Sequence, residues 1–396
     1  MSQTPRFAHK ITELGQIESP FFQVSARIAQ LPSSPDTCDF TFGNPHDMPL
    51  PGYVAALQKW SVPNSKDYYA YVSGEDHAKK VIAKSLNDRF GRPYAADDIL
   101  MTNGAFGALS VMFQCLVEAG DEVLYMLPPW FFYEGMIHNA GGKAVQLRVR
   151  PDNFDLDLDA IAAAINEKTK AVLVNSPNNP TGKIYPPATL RALGQILTDA
   201  SQRYGHPIYL FSDEAYNHIL LDNAEFHSPT SYYPYSLMVY TYGKTLLNPG
   251  ERLGYLAISP EMPERETIRM PLFITKLFVG LATPNALLMH AIEDIEELCI
   301  DLNQIQRRRD RLVAALSEIG YQVHCPQGTF YLLPKSPIED DWAFFDILAA
   351  QNIICLPGTV VDLPGYFRLS LTANDAMIER SIAGFAKAFA IAKGRG

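Results

Sequence analysis

Short apolar runs alternate with helical patterns through the middle of the chain. An apolar run from Asp98 to Met101 leads into a helical pattern over about residues 105–117. Residues 122–127, 143–149, 170–175, 208–211, 237–240 and 253–258 read as strands. Runs this short, rich in Val, Ile, Leu and Tyr and separated by helices, predict a mostly parallel sheet covered on both faces, with antiparallel members left open. A long helical pattern covers about residues 284–319. Residues 321–323, 328–333, 353–356 and 366–371 then predict strands of a smaller α+β domain. The division that follows is an arm over 1–43 packing on the small domain, a large domain over 44–290 and a small domain over 291–396. Ligands of such sheets gather outside the carboxyl ends of the strands. Asn103-Gly104, Trp130, Asn179, Asp213 and Lys244 all fall at or just after predicted strand ends.

Composition narrows the class. A chain of 396 residues is long enough for two domains and a large core. Apolar content of 47% and charged content of 19% describe a soluble globular protein. A formal charge of −10 without a basic block argues against nucleic acid as a partner. The triplet Arg307-Arg308-Arg309 is read as a solvated face or an interface. Five scattered cysteines (Cys38, Cys115, Cys299, Cys325, Cys355) form no C-x-x-C pair, which suits reduced thiols in a reducing, cytoplasmic compartment. Met1 to Lys10 lacks the apolar core of a secretory signal. The stretch from Met270 to Ile292 is poor in charge but holds Lys276, Pro271 and Pro284, so it predicts a buried or interface helix and no membrane span.

The chemistry centres on Tyr242-Gly243-Lys244-Thr245 and on Arg252, eight residues after Lys244. A lysine at the mouth of a sheet can form a Schiff base with an aldehyde cofactor. An arginine that close can clamp a phosphate on the same molecule. A phosphate-binding P-loop is set aside, because Met238 stands where its first glycine is required. Asp213 ends an apolar strand, where a carboxylate is either paired or serves as a helix cap. Asn103-Gly104-Ala105-Phe106 opens a helix whose free N–H groups suit an anion, and a plain strand-to-helix turn reads the same way. Arg368 alternates with apolar neighbours in Phe367-Arg368-Leu369-Ser370-Leu371, so an inward guanidinium needs an anion, from a ligand or from a structural salt bridge. His46, His138 and His218 are isolated and suggest no metal centre; His46 is a candidate for substrate contact.

Together with Asn175-Ser176-Pro177-Asn178-Asn179-Pro180-Thr181-Gly182 and Ser212-Asp213-Glu214-Ala215-Tyr216, these motifs resemble the class I/II aminotransferases, from Gly43 to Arg368. The resemblance implies the aspartate aminotransferase fold: a seven-stranded, mostly parallel sheet sandwiched by helices, with a smaller α+β domain. It implies pyridoxal 5'-phosphate as cofactor, with Lys244 as the Schiff-base lysine and proton carrier. Asp213 would pair with the pyridine nitrogen, Tyr216 and Asn179 would donate to the phenolic oxygen, and Trp130 would stack on the ring. Gly104, Ala105, Phe106, Thr241 and Arg252 would surround the phosphate. Tyr69 would reach the phosphate of a partner subunit, making the enzyme a homodimer with shared sites. Arg368 and Gly43, with Asn179, would hold the α-carboxylate of the substrate. The chain departs from the family pattern in having Ser176 where proline is frequent, and Tyr242-Gly243 where serine often precedes the lysine.

Transamination between an L-amino acid and a 2-oxo acid is the reaction implied first. The same residue set serves a lyase, synthase or cyclase acting by β- or γ-elimination. A non-catalytic regulator is disfavoured, since Lys244 and Asp213 are both present and no DNA-binding segment fits before Gly43. Lys276 and Arg269 are the nearest cationic candidates for an acidic side chain. Phe106, Trp130, Phe131, Phe132, Phe330 and Tyr331 suit aromatic or aliphatic substrates, and equally core packing.

Overall fold

The computed structural model describes residues 11, 20–32 and 34–394, so the expectation for Met1 to Lys10 and the first part of the arm lie outside the described residues. A short strand, β1 (Cys38–Asp39), precedes the large sheet. That sheet contains β2 (Ile99–Thr102), β3 (Glu122–Leu127), β4 (Lys143–Arg148), β5 (Thr169–Asn175), β6 (Tyr209–Asp213), β7 (Ser236–Thr241) and β8 (Gly254–Ile258) in the order β2-β8-β7-β6-β5-β3-β4. Six strands run one way; β8 runs against its neighbours β2 and β7. The mostly parallel, helix-covered sheet read from the sequence is thus the observed one, and β8 is its antiparallel member.

Side-chain alternation explains why the central strands read as unbroken apolar runs. Val123, Tyr125, Leu173, Phe211 and Val239 pack on one face, with the helix Gly104–Leu116. Leu124, Met126, Val172, Val174 and Leu210 pack on the other. Both faces are buried, so no polar period of two survives.

The second sheet orders β9 (Val323–His324), β10 (Tyr331–Pro334), β12 (Leu356–Pro357) and β13 (Phe367–Ser370) as β12-β13-β10-β9, all antiparallel. β11 (Ile353–Ile354) instead pairs parallel with β1. The single strand expected over 353–356 is therefore two, which turn to different partners around the buried Cys355. β1 and the helix Pro20–Gln30, with Val24 and Phe40 in the core of the small unit, attach the described part of the N-terminal arm there.

Two further expectations are corrected. The pattern over 284–319 is three helices, Ala286–His290, Ile292–Ile295 and Leu302–Ile319. Asn285 opens the first of them and Asp301 the last, accepting from the backbone N–H groups of Leu288 and Gln304 at 3.3 and 3.1 Å. Between them, Ile300 N donates to Thr245 O at 2.9 Å and ties this segment to the lysine turn. Of the arginine triplet, Arg308 and Arg309 are buried, not solvated: Arg308 pairs with Asp47 and Asp375, and Arg309 with Asp222. Buried guanidinium groups require such partners, and periodicity does not reveal them.

Candidate active site

β7 runs straight into the short helix Tyr242–Thr245, and Thr241 caps the turn by accepting from Gly243 N at 3.3 Å. This places the Lys244 amine 5.7 Å from the ring centre of Tyr216 and 5.9 Å from that of Phe330. Lys244 has no carboxylate in salt-bridge reach among the described residues. Because β8 is antiparallel, its amino end lies at the carboxyl edge of the other strands. Arg252 is delivered there, donating to Pro249 O at 2.8 Å and to Asn103 O at 3.4 Å.

Gly104 opens its helix at φ +75°, and a Cβ there would stand 2.7 Å from Arg252 Nη2 and 3.2 Å from Thr241 Oγ1. Only glycine keeps this small cradle of guanidinium, hydroxyl and helix-opening N–H groups open. Burial holds the Arg252 guanidinium below its ordinary value.

Asp213 ends β6, buried. Its Oδ2 accepts from the Tyr133 hydroxyl at 2.5 Å and its Oδ1 from Ala215 N at 3.1 Å. Burial raises its carboxyl above the usual range, while the Tyr133 hydroxyl, the Ala215 N–H and the charge of Lys244 pull it back toward the anion. Asn175, at the end of the adjacent β5, donates to Asp213 O at 2.9 Å and accepts from Asn179 N at 2.7 Å.

Arg368, on β13, reaches from the small unit to the same place. It is buried, and it donates to Asn179 Oδ1 and to Thr41 O, each at 2.9 Å. Its Nε has no partner, and no carboxylate pairs with it among the described residues. Its guanidinium carbon lies 4.0 Å from the Tyr331 ring centre. Burial pushes the Tyr331 phenol up, but Arg368, Lys244, the Tyr216 hydroxyl and Gly43 N–H outweigh it and bring it below its ordinary value. Burial likewise lowers Arg368. A cation so placed, with a free N–H and neutral neighbours, is prepared for an anion.

A cavity of about 220 Å³ joins Ala105, Phe106, Trp130, Asn179, Asp213, Tyr216, Thr241, Lys244 and Arg252, all singled out in the sequence. Gly104 and Arg368 adjoin it through Arg252 and Asn179. Gly43 lies against Phe330 and Tyr331, where a Cβ would come within 2.6 Å of the Phe330 ring. Tyr69 is outside the cavity: it is 55% exposed and donates to Ser61 O at 2.7 Å. His46 follows Gly43 on the same loop, where its carbonyl accepts from Asn374. The two cationic candidates for an acidic side chain are turned elsewhere. Lys276 is fully buried and donates to Glu75 and to Met101 O, and Arg269 donates to Asp98 at 2.6 Å. Among the described residues no group of three or more His, Cys, Asp or Glu is placed to hold a metal ion.

Sequence reasoning missed Tyr133 and Asn175 as members of the site and named Tyr331 only among the aromatic residues. Tyr133 lies three residues after Trp130, across a turn in which its N–H donates to Trp130 O at 3.2 Å, and that closeness in sequence was its available signal. Asn175 stood inside a motif already quoted, at a strand end. Tyr331 carried no signal beyond aromaticity.

The arrangement combines an amine, a buried carboxylate with its own donor, an aromatic wall, an anion cradle and a second buried cation. The sequence model described as aminotransferase class I and II matches residues 35–385. A probable aspartate/prephenate aminotransferase of Thermus aquaticus is 29% identical over 361 residues, covering 89% of this chain and 91% of that one. A probable aspartate aminotransferase of Methanocaldococcus jannaschii is 28% identical over 354 residues, covering 88% and 92%. The crystal structure of an amino transferase from Eubacterium rectale superposes with a TM-score of 0.90 at 27% identity, covering 98% of this chain and 99% of that one.

Proposed function

We propose that this chain, which belongs to the class I and II aminotransferases and moves an amino group between an L-amino acid and a 2-oxo acid, does so through pyridoxal 5'-phosphate held as a Schiff base on Lys244. The observation that carries this reading is the shared cavity of Lys244, Asp213, Trp130 and Arg252. The donor set fits the cofactor part by part. The Gly104 cradle with Thr241 and Arg252 suits a phosphate, with Ala105 and Phe106 continuing the helix opening. Trp130 suits a ring face, and Asp213, held toward the anion by Tyr133, suits a protonated ring nitrogen. Tyr216 and Asn179 suit the phenolic oxygen.

When bound, pyridoxal phosphate supplies an aldehyde for amine exchange and a ring that draws electrons from the substrate α-carbon. The Lys244 amine, released when the substrate amine takes its place, would carry the proton away from the α-carbon. Arg368 grips the α-carboxylate with the fork that now holds Asn179 Oδ1 and Thr41 O, with Gly43 beside it, and so fixes the α-carbon against Lys244. Asp213, with the Tyr133 hydroxyl donating to it, would pair with the ring nitrogen and hold its charge.

The active form is a homodimer. Tyr69, exposed and outside its own cavity, reaches the phosphate of the partner's site. The exposed Met270, Ile274, Leu277 and Phe278 on the helix Glu266–Phe278 supply apolar surface for the contact. Five free cysteines suit a reducing, cytoplasmic setting. Among the described residues no helix is long and apolar enough to cross a membrane.

Borohydride reduction of protein loaded with pyridoxal phosphate, followed by peptide mass analysis, tests the assignment. A phosphopyridoxyl mass on Lys244 is the expected result. The same mass on another lysine, with Lys244 unlabelled, would overturn it.

A further inference from the structure

We propose that the substrate side chain is aromatic, and that it lies against a wall of phenylalanines joining the N-terminal helix to the cavity; this rests on the reading of Arg368 as the α-carboxylate anchor. Thr41, whose carbonyl accepts from Arg368, is followed directly by Phe42. The Phe42 ring lies 5.7 Å from Phe21, on the helix Pro20–Gln30. Phe21 stacks on Phe131 at 4.8 Å with 19° between the planes. Phe131 lies 4.8 Å from Phe132, and Phe132 lies 5.5 Å from Phe106. Phe106 meets Trp130 edge to face at 5.2 Å, and both line the cavity. The run of rings therefore starts beside Thr41, whose carbonyl accepts from Arg368, and ends in the cavity wall.

This wall is not a sealed core. Phe21, Phe42, Phe131 and Phe132 are only partly buried, and Phe106 is 41% exposed. Their free edges and faces offer a further ring the offset and edge contacts that aromatic groups prefer. The charges point the same way. Lys244 and Arg252 are the cations that line the cavity, and both have their partners in the reaction. Lys276 is spent on Glu75, and Arg265 and Arg269 on Asp98. A carboxylate side chain set against these rings would lose its water with no further cation of the same subunit lining the cavity to replace it. The relative from Thermus aquaticus is named for aspartate and prephenate and that from Methanocaldococcus jannaschii for aspartate, so the inference separates this chain from them over aspartate.

The test is steady-state kinetics of the loaded enzyme with phenylalanine, tyrosine, alanine and aspartate against one fixed 2-oxo acid. Phenylalanine and tyrosine should exceed aspartate in kcat/KM by about a hundredfold. Phe131→Ala should lower the phenylalanine-to-alanine ratio about tenfold, and Phe131→Leu by less, with the borohydride label on Lys244 unchanged. A fold defect alone would depress both substrates and leave the ratio where it was. Aspartate preferred over phenylalanine, with Lys244 labelled, overturns the aromatic assignment and leaves the cofactor reading standing. Absence of the label on Lys244 overturns the reading beneath it.

Discussion

The Tyr133 hydroxyl donates to Asp213 Oδ2 at 2.5 Å, inside the protein and with its ring 5.4 Å from that of Trp130. Burial raises the Asp213 carboxyl, and this bond is the largest of the effects that oppose it. Tyr133 therefore acts on the reaction through Asp213, as a positioning residue. Tyr133→Phe keeps the ring and removes the donor, so Asp213 should hold its proton to higher pH. The expected outcome is a kcat lower by about tenfold, with the acid limb of the kcat–pH profile moved upward. An unchanged limb would show that Asp213 does not depend on Tyr133.

Arg368 is buried with a free Nε and no carboxylate partner among the described residues. Arg368→Ala should raise KM for amino acids about a hundredfold while affecting cofactor capture little. Arg368→Lys should recover only part of the loss, because an ammonium cannot reproduce the planar fork. An unchanged KM in both variants would return Arg368 to a purely structural role.

Gly104 combines φ +75° with a Cβ position 2.7 Å from Arg252 Nη2. Gly104→Ala should strain the helix opening and push the guanidinium aside, weakening cofactor binding about tenfold. Titration of cofactor-free protein with pyridoxal phosphate measures it. Equal affinity in the variant and the wild type would contradict the phosphate assignment of this cradle.

Glu214 follows Asp213, is fully buried, and accepts from Ser212, Ser228 and Asn217. Burial lifts its carboxyl from 4.5 to about 7. Between those values the folded chain holds a proton that the unfolded chain releases. The stabilisation is therefore complete below pH 4.5 and is lost as pH rises to about 7, by about 3 kcal/mol at most. Glu214→Gln stays neutral, so its stability relative to the wild type should rise between pH 5 and pH 8. Urea unfolding at the two pH values measures this, and a difference that does not change with pH would refute it.

Much of this was legible in the sequence, for identifiable reasons. Strand-end residues such as Asp213, Lys244 and Asn179 follow short apolar runs, and the topology of a mostly parallel sheet brings those ends together. The helix restart at Asp301 was hidden because a capping residue also reads as an ordinary polar position. Lys276 and Arg269 illustrate the opposite failure: proximity in sequence says nothing about where a long side chain points, and both point to buried carboxylates. Tyr133 was hidden, and the place of Tyr331 left open, because an aromatic residue in a packed region has many uses and only its neighbours in space select one.

The most direct test of the central claim is a single-turnover measurement. Protein loaded with pyridoxal phosphate is mixed with an excess of amino acid and no 2-oxo acid, and the 2-oxo acid formed per chain is counted. The account predicts one equivalent per chain from the wild type, no ammonia, and none of either product from Lys244→Ala. Continuous release of ammonia, or one equivalent from Lys244→Ala, would contradict it.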